Sequence, residues 1–258
     1  MKYDAILFGL LLLLGYFPTL LASDTAREQA VFEEIEDALV IGEIVWLNGK
    51  PRFFALFTDS AIKKSHGAVV ILHGMGKNPN TYDVIRPLRT RLPEYGWITL
   101  SLQMPLREIG VEIEDYFPLI PEAGPRIDAA IDFLKKKNIE TIILIGHSLG
   151  AVMGLDYLAG ESDPAIKAAV LVSLPVFTPA TPATQVIRNL EKIPFPLLDI
   201  YGSRDLTIVR NTAAKRHIAM KNNKAFRQII LEGSNHNFHH SDDRLVKRIY
   251  SWITRINP

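Results

Sequence analysis

The sequence predicts an α/β fold in which helices cover both faces of a mostly parallel β-sheet. Short apolar runs alternate with stretches of helical periodicity, a pattern typical of parallel strands joined by crossover helices. The predicted strands of this alternating part are 68–72, 97–102, 141–145, 168–173, 195–201 and 226–231, and the predicted helices are 82–92, 125–137, 149–158, 209–220 and 242–256.

An antiparallel hairpin is predicted to precede this alternation. The β-rich runs 41–47 and 52–57 flank Asn48 and Gly49. An Asn-Gly pair readily adopts the positive φ angles of a tight hairpin turn. The hairpin therefore adds an antiparallel edge to the sheet.

Length and composition exclude several classes of function. The 258 residues fit one large domain, and 29 Lys+Arg against 28 Asp+Glu leave a formal net charge of +1. Such a balance gives no excess charge to hold a nucleic-acid backbone, so no nucleic-acid partner is predicted. Because the chain has no Cys, it has no thiol nucleophile, disulfide or Cys-ligated metal.

The first 22 residues resemble a secretory signal peptide. Their Leu-rich run is interrupted by Gly15 and Pro18 and ends at the small residue Ala22. We therefore expect an exported protein, periplasmic or secreted, that is cleaved after Ala22. An uncleaved anchor in the inner membrane and a buried first helix are the alternatives, and the anchor is the one expected contact with a membrane.

The rest of the chain divides into an N-terminal segment and one domain. Residues 23–40 are predicted to form an acidic amphipathic helix or a solvated arm without chemistry of its own. Residues 41–258 show no internal repeat and no linker. Within them, 175–196 is too rich in Pro for a long helix and predicts a compact excursion over the sheet edge that shapes a pocket rim.

A candidate nucleophile lies between a predicted strand and a predicted helix. Residues 146–150 read Gly-His-Ser-Leu-Gly and match Gly-x-Ser-x-Gly, with Ser148 at the centre. A tight strand-to-helix turn needs Gly at both ends, since a Cβ there would strike neighbouring elements. The turn exposes the Ser hydroxyl above the carboxyl edge of the sheet, where α/β proteins bind ligands. The alternative is an incidental Ser in a Gly-rich turn.

With this motif, the chain resembles the α/β-hydrolases over 41–256, and it is most similar to an uncharacterised family of bacterial exported hydrolase-like proteins. The segments that carry the resemblance are 69–76, 87–89, 96–103 and 146–151. The resemblance implies an α/β-hydrolase fold and a Ser–acid–His triad in that chain order. It also implies acyl transfer from an ester-like substrate and no cofactor.

The candidate general base is His236. It follows the last predicted strand directly, so it lies at the same sheet edge as Ser148. A neutral imidazole can accept the Ser proton and pass it to a leaving group near neutral pH. His239 and His240 are rivals, although their pattern also fits the solvated start of a helix.

The candidate acid is Asp205. Two strand-end loops lie at the required edge, and the first of them, 174–185, contains no Asp or Glu. Asp205 lies in the second loop, which resembles the acid-bearing loop of the family. There it would hold the tautomer of the imidazole and stabilise its cation. Its alternative is a turn or helix-cap role.

Two backbone N–H groups and three apolar side chains complete the predicted site. In an α/β-hydrolase the oxyanion donors are the residue after the nucleophile, here Leu149, and the loop after the first central strand, here Met75. Met104, Phe177 and Phe238 follow strands on the same side and are candidates for an acyl pocket or for ordinary core.

The sequence therefore predicts a serine hydrolase, with a carboxylic ester as the leading substrate and amides, thioesters or peptides as alternatives. The expected partner is a small-molecule or lipid-like acyl substrate, and no metal is predicted. A metal site is a weaker alternative, because neighbouring residues on a helix rarely face one ion; its candidate ligands are His236, His239, His240, Asp242 and Asp243. The alternative function is an inactive hydrolase-fold protein that binds a lipid or an envelope partner. The oligomeric state is not predicted.

Overall fold

The computed structural model describes residues 23–160 and 162–256, so the predicted signal peptide lies outside the described residues. Within them, eight strands form one sheet in the order β1-β2-β4-β3-β5-β6-β7-β8. β2 pairs antiparallel with β1 and β4, and every other pair is parallel. The predicted fold class is confirmed. The strands are β1 Glu43–Leu47, β2 Phe53–Thr58, β3 Gly67–Leu72, β4 Trp97–Leu102, β5 Ile142–His147, β6 Ile166–Val172, β7 Leu197–Arg204 and β8 Phe226–Asn235.

Helices pack on both faces of this sheet. In the described part of the chain, none of them combines the length and apolarity needed to cross a bilayer. Short 3₁₀ segments occur at Leu92–Tyr95, Ile113–Glu122 and Pro182–Thr184. The α-helices are α1 Thr25–Ala38, α2 Ile85–Arg91, α3 Ala123–Lys136, α4 Leu149–Leu158, α5 Val186–Leu190, α6 Thr207–Arg210, α7 Ala213–Ala219 and α8 Asp242–Ile256.

The central strand β3 is apolar throughout because both of its faces are buried. In β3, Val70 and Leu72 belong to the core on one face, whereas Val69 and Ile71 belong to the core on the other. Successive side chains of a strand point to opposite faces, so a strand covered on both sides has no solvent-facing position. This burial explains why the apolar runs predicted the strands well.

The hairpin forms as predicted, but its turn does not. Strand residues Leu47 and Phe53 are paired, which leaves the five residues 48–52 in the connection. Neither Asn48 nor Gly49 has a positive φ angle. A connection of this length does not need the mirror-image turn of a two-residue hairpin, so that prediction is wrong. A Cβ on Gly49 would lie 2.8 Å from the Phe53 ring, and this contact accounts for the glycine.

The segment 23–40 contains α1, which packs against the hairpin. Ile35 is buried, and the Phe32 ring lies 5.0 Å from that of Trp46 and 5.6 Å from that of Phe54. Asp24 caps the helix by accepting a hydrogen bond from a backbone N–H in the first turn. An amphipathic helix thus covers one face of the antiparallel edge.

One predicted element differs in the structure. The helix predicted at 209–220 is divided into α6 and α7, and the Thr212 hydroxyl hydrogen-bonds the carbonyl of Ile208 at the break. Such side-chain to backbone bonds compete with helix continuation. The Pro-rich segment 175–196 contains a 3₁₀ turn and α5, and Leu190 is buried in the same core as α4.

A buried ion pair fixes α6 and α7 beside β7. Arg216 Nε donates to Asp199 Oδ2 at 2.8 Å, and Arg216 Nη1 donates to the Val209 carbonyl at 2.7 Å. Both charged side chains are fully buried. The pair therefore holds the helices that follow the loop after β7.

We expect Arg216→Met to lower the free energy of unfolding by about 3–5 kcal/mol, because it leaves the Asp199 carboxylate buried without a counter-ion. Urea titration of the two proteins measures the difference. Lys247→Met removes an exposed pair with Asp243 and serves as the control. Equal urea midpoints for Arg216→Met and the unmodified protein would contradict the assignment.

Candidate active site

Ser148 occupies the turn between β5 and α4 in a strained backbone conformation. Its φ and ψ are 54° and −121°, a combination that non-glycine residues rarely adopt. The Ser148 N–H donates to the Val172 carbonyl at 2.9 Å, which ties the turn to the end of β6. The hydroxyl is thereby fixed at the carboxyl edge of the sheet.

The turn is possible because of the glycines around it. A Cβ on Gly146 would lie 2.5 Å from the Gly150 carbonyl oxygen, and a Cβ on Gly150 would lie 2.4 Å from that of His73. Gly74 passes so close that a Cβ there would lie 3.1 Å from Ser148 Cβ. The glycines of the Gly-x-Ser-x-Gly motif are therefore required by steric contact.

His236 lies next to Ser148, immediately after β8. Its Nε2 is 3.0 Å from Ser148 Oγ, and its Nδ1 is 2.6 Å from Asp205 Oδ1. Because ionised Asp205 only accepts hydrogen bonds, Nδ1 carries the proton and Nε2 is free to accept the Ser148 proton. Its side chain is 18% exposed, so a substrate can reach it from the cavity.

Asp205 directly follows β7 and is fixed by several donors. Its buried carboxylate accepts hydrogen bonds from Ser173 Oγ at 2.5 Å and from the Leu206 N–H at 2.7 Å, besides the one from His236. Burial would raise the pKa of this carboxyl, but the hydrogen bonds outweigh it and the pKa lies below its ordinary value. Asp205 is therefore ionised near neutral pH.

Ser173 and His147 support the site in ways that the sequence analysis missed. Ser173 is buried at the end of β6 with a φ of 54°, and no motif surrounds it. Its position at a strand end, on the same edge as Ser148, is the signal that could have found it. His147 packs its ring 5.1 Å from the His236 ring and contacts the His236 carbonyl through Nε2 at 3.0 Å.

The two predicted oxyanion donors lie beside Ser148. Met75 and Leu149 line the same cavity as the hydroxyl, and Leu149 is the first residue of α4. Within residues 23–160 and 162–256, neither backbone N–H donates a hydrogen bond. A helix N-terminus also favours negative charge. Both amides therefore remain the predicted oxyanion donors.

His73 organises the loop that carries Met75. Its Nε2 accepts a hydrogen bond from the Met104 N–H at 2.9 Å, so Nδ1 donates to the Gly74 carbonyl at 2.9 Å. Burial lowers the pKa of this imidazole to about 3, and it stays neutral. The loop is thereby joined to the end of β4.

A cavity of about 350 Å³ opens at Ser148. Apolar side chains form most of its wall: Met75, Ile113, Leu149, Pro175, Phe177, Leu206 and Ile208. The predicted pocket residue Phe177 is thus on the wall, where it contacts Phe117 with a ring separation of 4.8 Å.

The prediction that Met104 and Phe238 line the pocket is wrong. Met104 is 1% exposed and belongs to the core beneath one face of the sheet, and Phe238 is 0% exposed and belongs to the core on the other. Both follow strands at the correct edge, but their side chains turn back into the protein. A loop position does not determine side-chain direction.

The other histidines considered for catalysis lie apart from Ser148. His239 pairs with Asp83 at 3.0 Å and is exposed, and His240 is also exposed. Asp242 pairs with Arg91 at 3.5 Å. Over the described parts of the chain, no three His, Asp or Glu side chains come together as a metal site.

Comparison with known proteins places the chain in a family. Residues 21–112 and 122–255 match the model of a family described as a protein of unknown function, DUF3530. The chain belongs to this family. No curated protein matches this DUF3530 member at a significant level.

Solved structures with the same fold are α/β-hydrolases. A putative α/β hydrolase from Agrobacterium tumefaciens is 21% identical, with a TM-score of 0.65 over 83% of this chain and 95% of that one. An esterase from Pyrococcus furiosus is 17% identical, with a TM-score of 0.68 over 87% and 96% of the two chains. An α/β serine hydrolase without a lid from Xanthomonas campestris is 14% identical, with a TM-score of 0.64 over 84% and 95%. This DUF3530 member therefore has the α/β-hydrolase fold, and the predicted resemblance is confirmed.

We expect this family member to lose stability in mild acid, because its buried histidines resist protonation. Burial chiefly lowers the pKa of His147 to about 4. In the unfolded chain, His147 takes up a proton below about pH 6.5, whereas in the folded chain it stays neutral down to about pH 4. The free energy of unfolding therefore decreases as the pH falls through this range. We expect His147→Gln to reduce the stability loss between about pH 7 and about pH 5 by about 2 kcal/mol.

Urea unfolding at both pH values checks this expectation. His217→Gln, at an exposed histidine, is the matched control. The same pH-dependent loss in His147→Gln as in the unmodified protein would show that His147 is protonated in the folded state.

Proposed function

We propose that the protein is a serine hydrolase that cleaves acyl esters, with Ser148 as nucleophile, His236 as general base and acid, and Asp205 as the acid of the triad. The observation that carries the proposal is the hydrogen-bonded chain from Ser148 Oγ through both His236 nitrogens to Asp205, with separations of 3.0 and 2.6 Å. Such a chain activates a hydroxyl that is otherwise a weak nucleophile.

The first half-reaction transfers the acyl group to Ser148. Ser148 Oγ attacks the ester carbonyl carbon while its proton moves to His236 Nε2. The carbonyl electron pair moves to oxygen, and ionised Asp205 stabilises the imidazolium through Nδ1. When the tetrahedral intermediate collapses, the alkoxide leaves and takes the proton from Nε2. The product is an acyl ester of Ser148.

The oxyanion of this intermediate is the charge that the site has to stabilise. The free N–H groups of Met75 and Leu149 supply two donors on the cavity wall. Fixed donors need no reorganisation as the charge develops, and loss of one commonly lowers kcat by about 10²–10³-fold. Because His73 and His147 are neutral, neither supplies a positive charge to the intermediate, and the two amides stabilise its negative charge.

The second half-reaction releases the acid. His236 Nε2 accepts a proton from water, whose oxygen attacks the acyl carbon, and collapse returns a proton to Ser148 Oγ. The apolar wall around Phe177, Leu206 and Ile208 suits the hydrocarbon part of the acyl group. We include an exported location in the proposal, which is supported by the signal-peptide pattern of residues 1–22.

We expect Ser148→Ala to abolish labelling by a fluorophosphonate and to lower kcat/KM for p-nitrophenyl esters by at least about 10³-fold. The esters should range from acetate to decanoate, because their relative rates measure the cavity. Amide and thioester analogues of the best ester then test the ester assignment.

Ser251→Ala, on the distant helix α8, is the matched control and should retain both labelling and turnover. Circular dichroism verifies that each variant is folded. Folded protein with neither labelling nor turnover would reject the hydrolase proposal in favour of the alternative, a protein that binds a lipid or an envelope partner.

A further inference from the structure

The described wall of the cavity carries a positive side chain but no negative one. Apart from the two histidines, Lys77 is the ionisable residue on its wall, and no Asp or Glu lies among the described lining residues. The triad carboxylate of Asp205 is fully buried behind His236. A substrate entering the cavity therefore meets one cation and no exposed anion.

Lys77 has no counter-ion in the described parts of the chain. The ion pairs found there involve other side chains, although Lys77 is half-buried beside apolar residues. Lys77 lines the same cavity as Ser148 and His236. A partly dehydrated ammonium gains more from an anion than an exposed one does.

We propose that the natural substrate carries a carboxylate or phosphate group that pairs with Lys77 while its acyl carbonyl lies at Ser148. This inference rests on the proposed function and names the substrate class of the same site. An anionic ester would use the apolar wall for its chain and the Lys77 ammonium for its charged end. Charge complementarity then gives specificity, because neutral esters leave the ammonium unpaired.

The test compares p-nitrophenyl butyrate with the p-nitrophenyl monoester of glutaric acid, whose acyl chain ends in a carboxylate. The unmodified full-length protein should prefer the anionic ester by about tenfold in kcat/KM. Lys77→Met should remove this preference, so that the two esters have equal kcat/KM values. The preference should also shrink at high ionic strength. Lys221→Met, at an exposed lysine outside the cavity, is the control.

Two failures are distinguishable. Equal kcat/KM values for the two esters, or a preference that survives Lys77→Met, would overturn the Lys77 inference and leave the hydrolase proposal intact. Absence of turnover with both esters together with absence of fluorophosphonate labelling would overturn the proposed function and the substrate class with it.

A second, independent observation concerns α1 and the loop that carries Met75. Arg27 on α1 donates hydrogen bonds to the Gly76 carbonyl at 3.3 Å and to the Tyr116 hydroxyl at 3.2 Å. It also donates to the carbonyl of Arg107. One guanidinium thus joins the loop after β3, the loop after β4 and the 3₁₀ segment beside the cavity.

The helix that presents Arg27 is itself firmly held. Glu28 accepts two hydrogen bonds from Arg126 at 3.0 and 2.8 Å, and both side chains are buried. Arg126 also donates to the Gln103 carbonyl at 2.7 Å. The Ser23 hydroxyl bonds to the backbone of Leu106. A bidentate buried pair of this kind fixes orientation as well as position.

We infer that Arg27 is a positioning residue for the oxyanion loop. Gly76 directly follows Met75 and has a φ of 64°, and the Lys77 N–H donates to the Gly74 carbonyl at 3.2 Å, so the Gly76 carbonyl and the Met75 N–H belong to one tight turn. Without Arg27 the loop loses its contact to α1, and the Met75 amide is less well fixed. Small displacements of an oxyanion donor weaken transition-state binding more than substrate binding.

We expect Arg27→Gln to lower kcat about tenfold while KM for the best ester stays within about twofold. Affinity for a trifluoromethyl ketone, whose adduct with Ser148 carries an oxyanion, should fall by the same factor. Arg27→Lys should recover only part of the loss, since an ammonium lacks the planar fork of the guanidinium. Glu34→Gln, on the exposed face of α1, is the control.

Thermal unfolding separates positioning from simple destabilisation. The inference is overturned if folded Arg27→Gln keeps full kcat, or if kcat falls while ketone affinity is unchanged. A protein that shows no esterase activity before substitution would instead reject the proposed function, on which the role of Arg27 depends.

Discussion

The strained backbone of Ser148 is the constraint on which the rest of the site depends. A non-glycine residue in such a conformation costs about 1–3 kcal/mol, and it persists only where its surroundings leave no alternative. Here β3 and α4 approach so closely that Gly150 lies against the carbonyls of Leu72 and His73. The same approach brings the loop at Gly74 beside Ser148. One close contact between a strand end and a helix start thus positions the hydroxyl and both proposed oxyanion donors.

Burial keeps two histidines of this site neutral, but it does not neutralise the aspartate. His73 and His147 are buried with main-chain hydrogen bonds, and their pKa values fall so that both rings are neutral. Asp205 is also buried, but its hydrogen-bond donors favour its anion more than burial opposes it. The site therefore holds one fixed negative charge, with Asp205 Oδ1 2.6 Å from His236 Nδ1. Because His73 and His147 are neutral, neither ring offsets the negative charge of Asp205.

The fold and the three residues of the candidate triad were predictable because each depends on a local pattern. Apolar runs marked β5, β7 and β8, and Ser148, Asp205 and His236 each follow one of these strands at its carboxyl end. Parallel strands bring these ends to one edge, so chain order alone indicated proximity. The turn at Asn48 was mispredicted because the loop length depends on strand register, which the dipeptide does not determine.

Contacts between distant segments could not be predicted in the same way. Met104 and Phe238 follow strands at the correct edge, yet their side chains belong to the two cores. Ser173 contacts Asp205 across a gap of 32 positions in the sequence, and Arg27 contacts Gly76 across 49. No spacing rule links such pairs, because their proximity results from how the complete sheet and its helices pack.

The segments that form the cavity walls also contact the loops that carry the candidate triad and the proposed oxyanion donors. The triad residues lie at strand ends, whereas the walls come from loops and short helices. Each wall is nevertheless fastened to the catalytic edge. Tyr116, in the 3₁₀ segment that includes Ile113, meets Arg27, which also holds Gly76. On the opposite side, Arg210 bonds the Asp205 carbonyl at the end of the loop that carries Leu206. In the proposed hydrolase, a substrate that fits both walls would also fix the oxyanion loop and the acid loop, and this coupling would let binding energy from the acyl chain act on the reacting atoms.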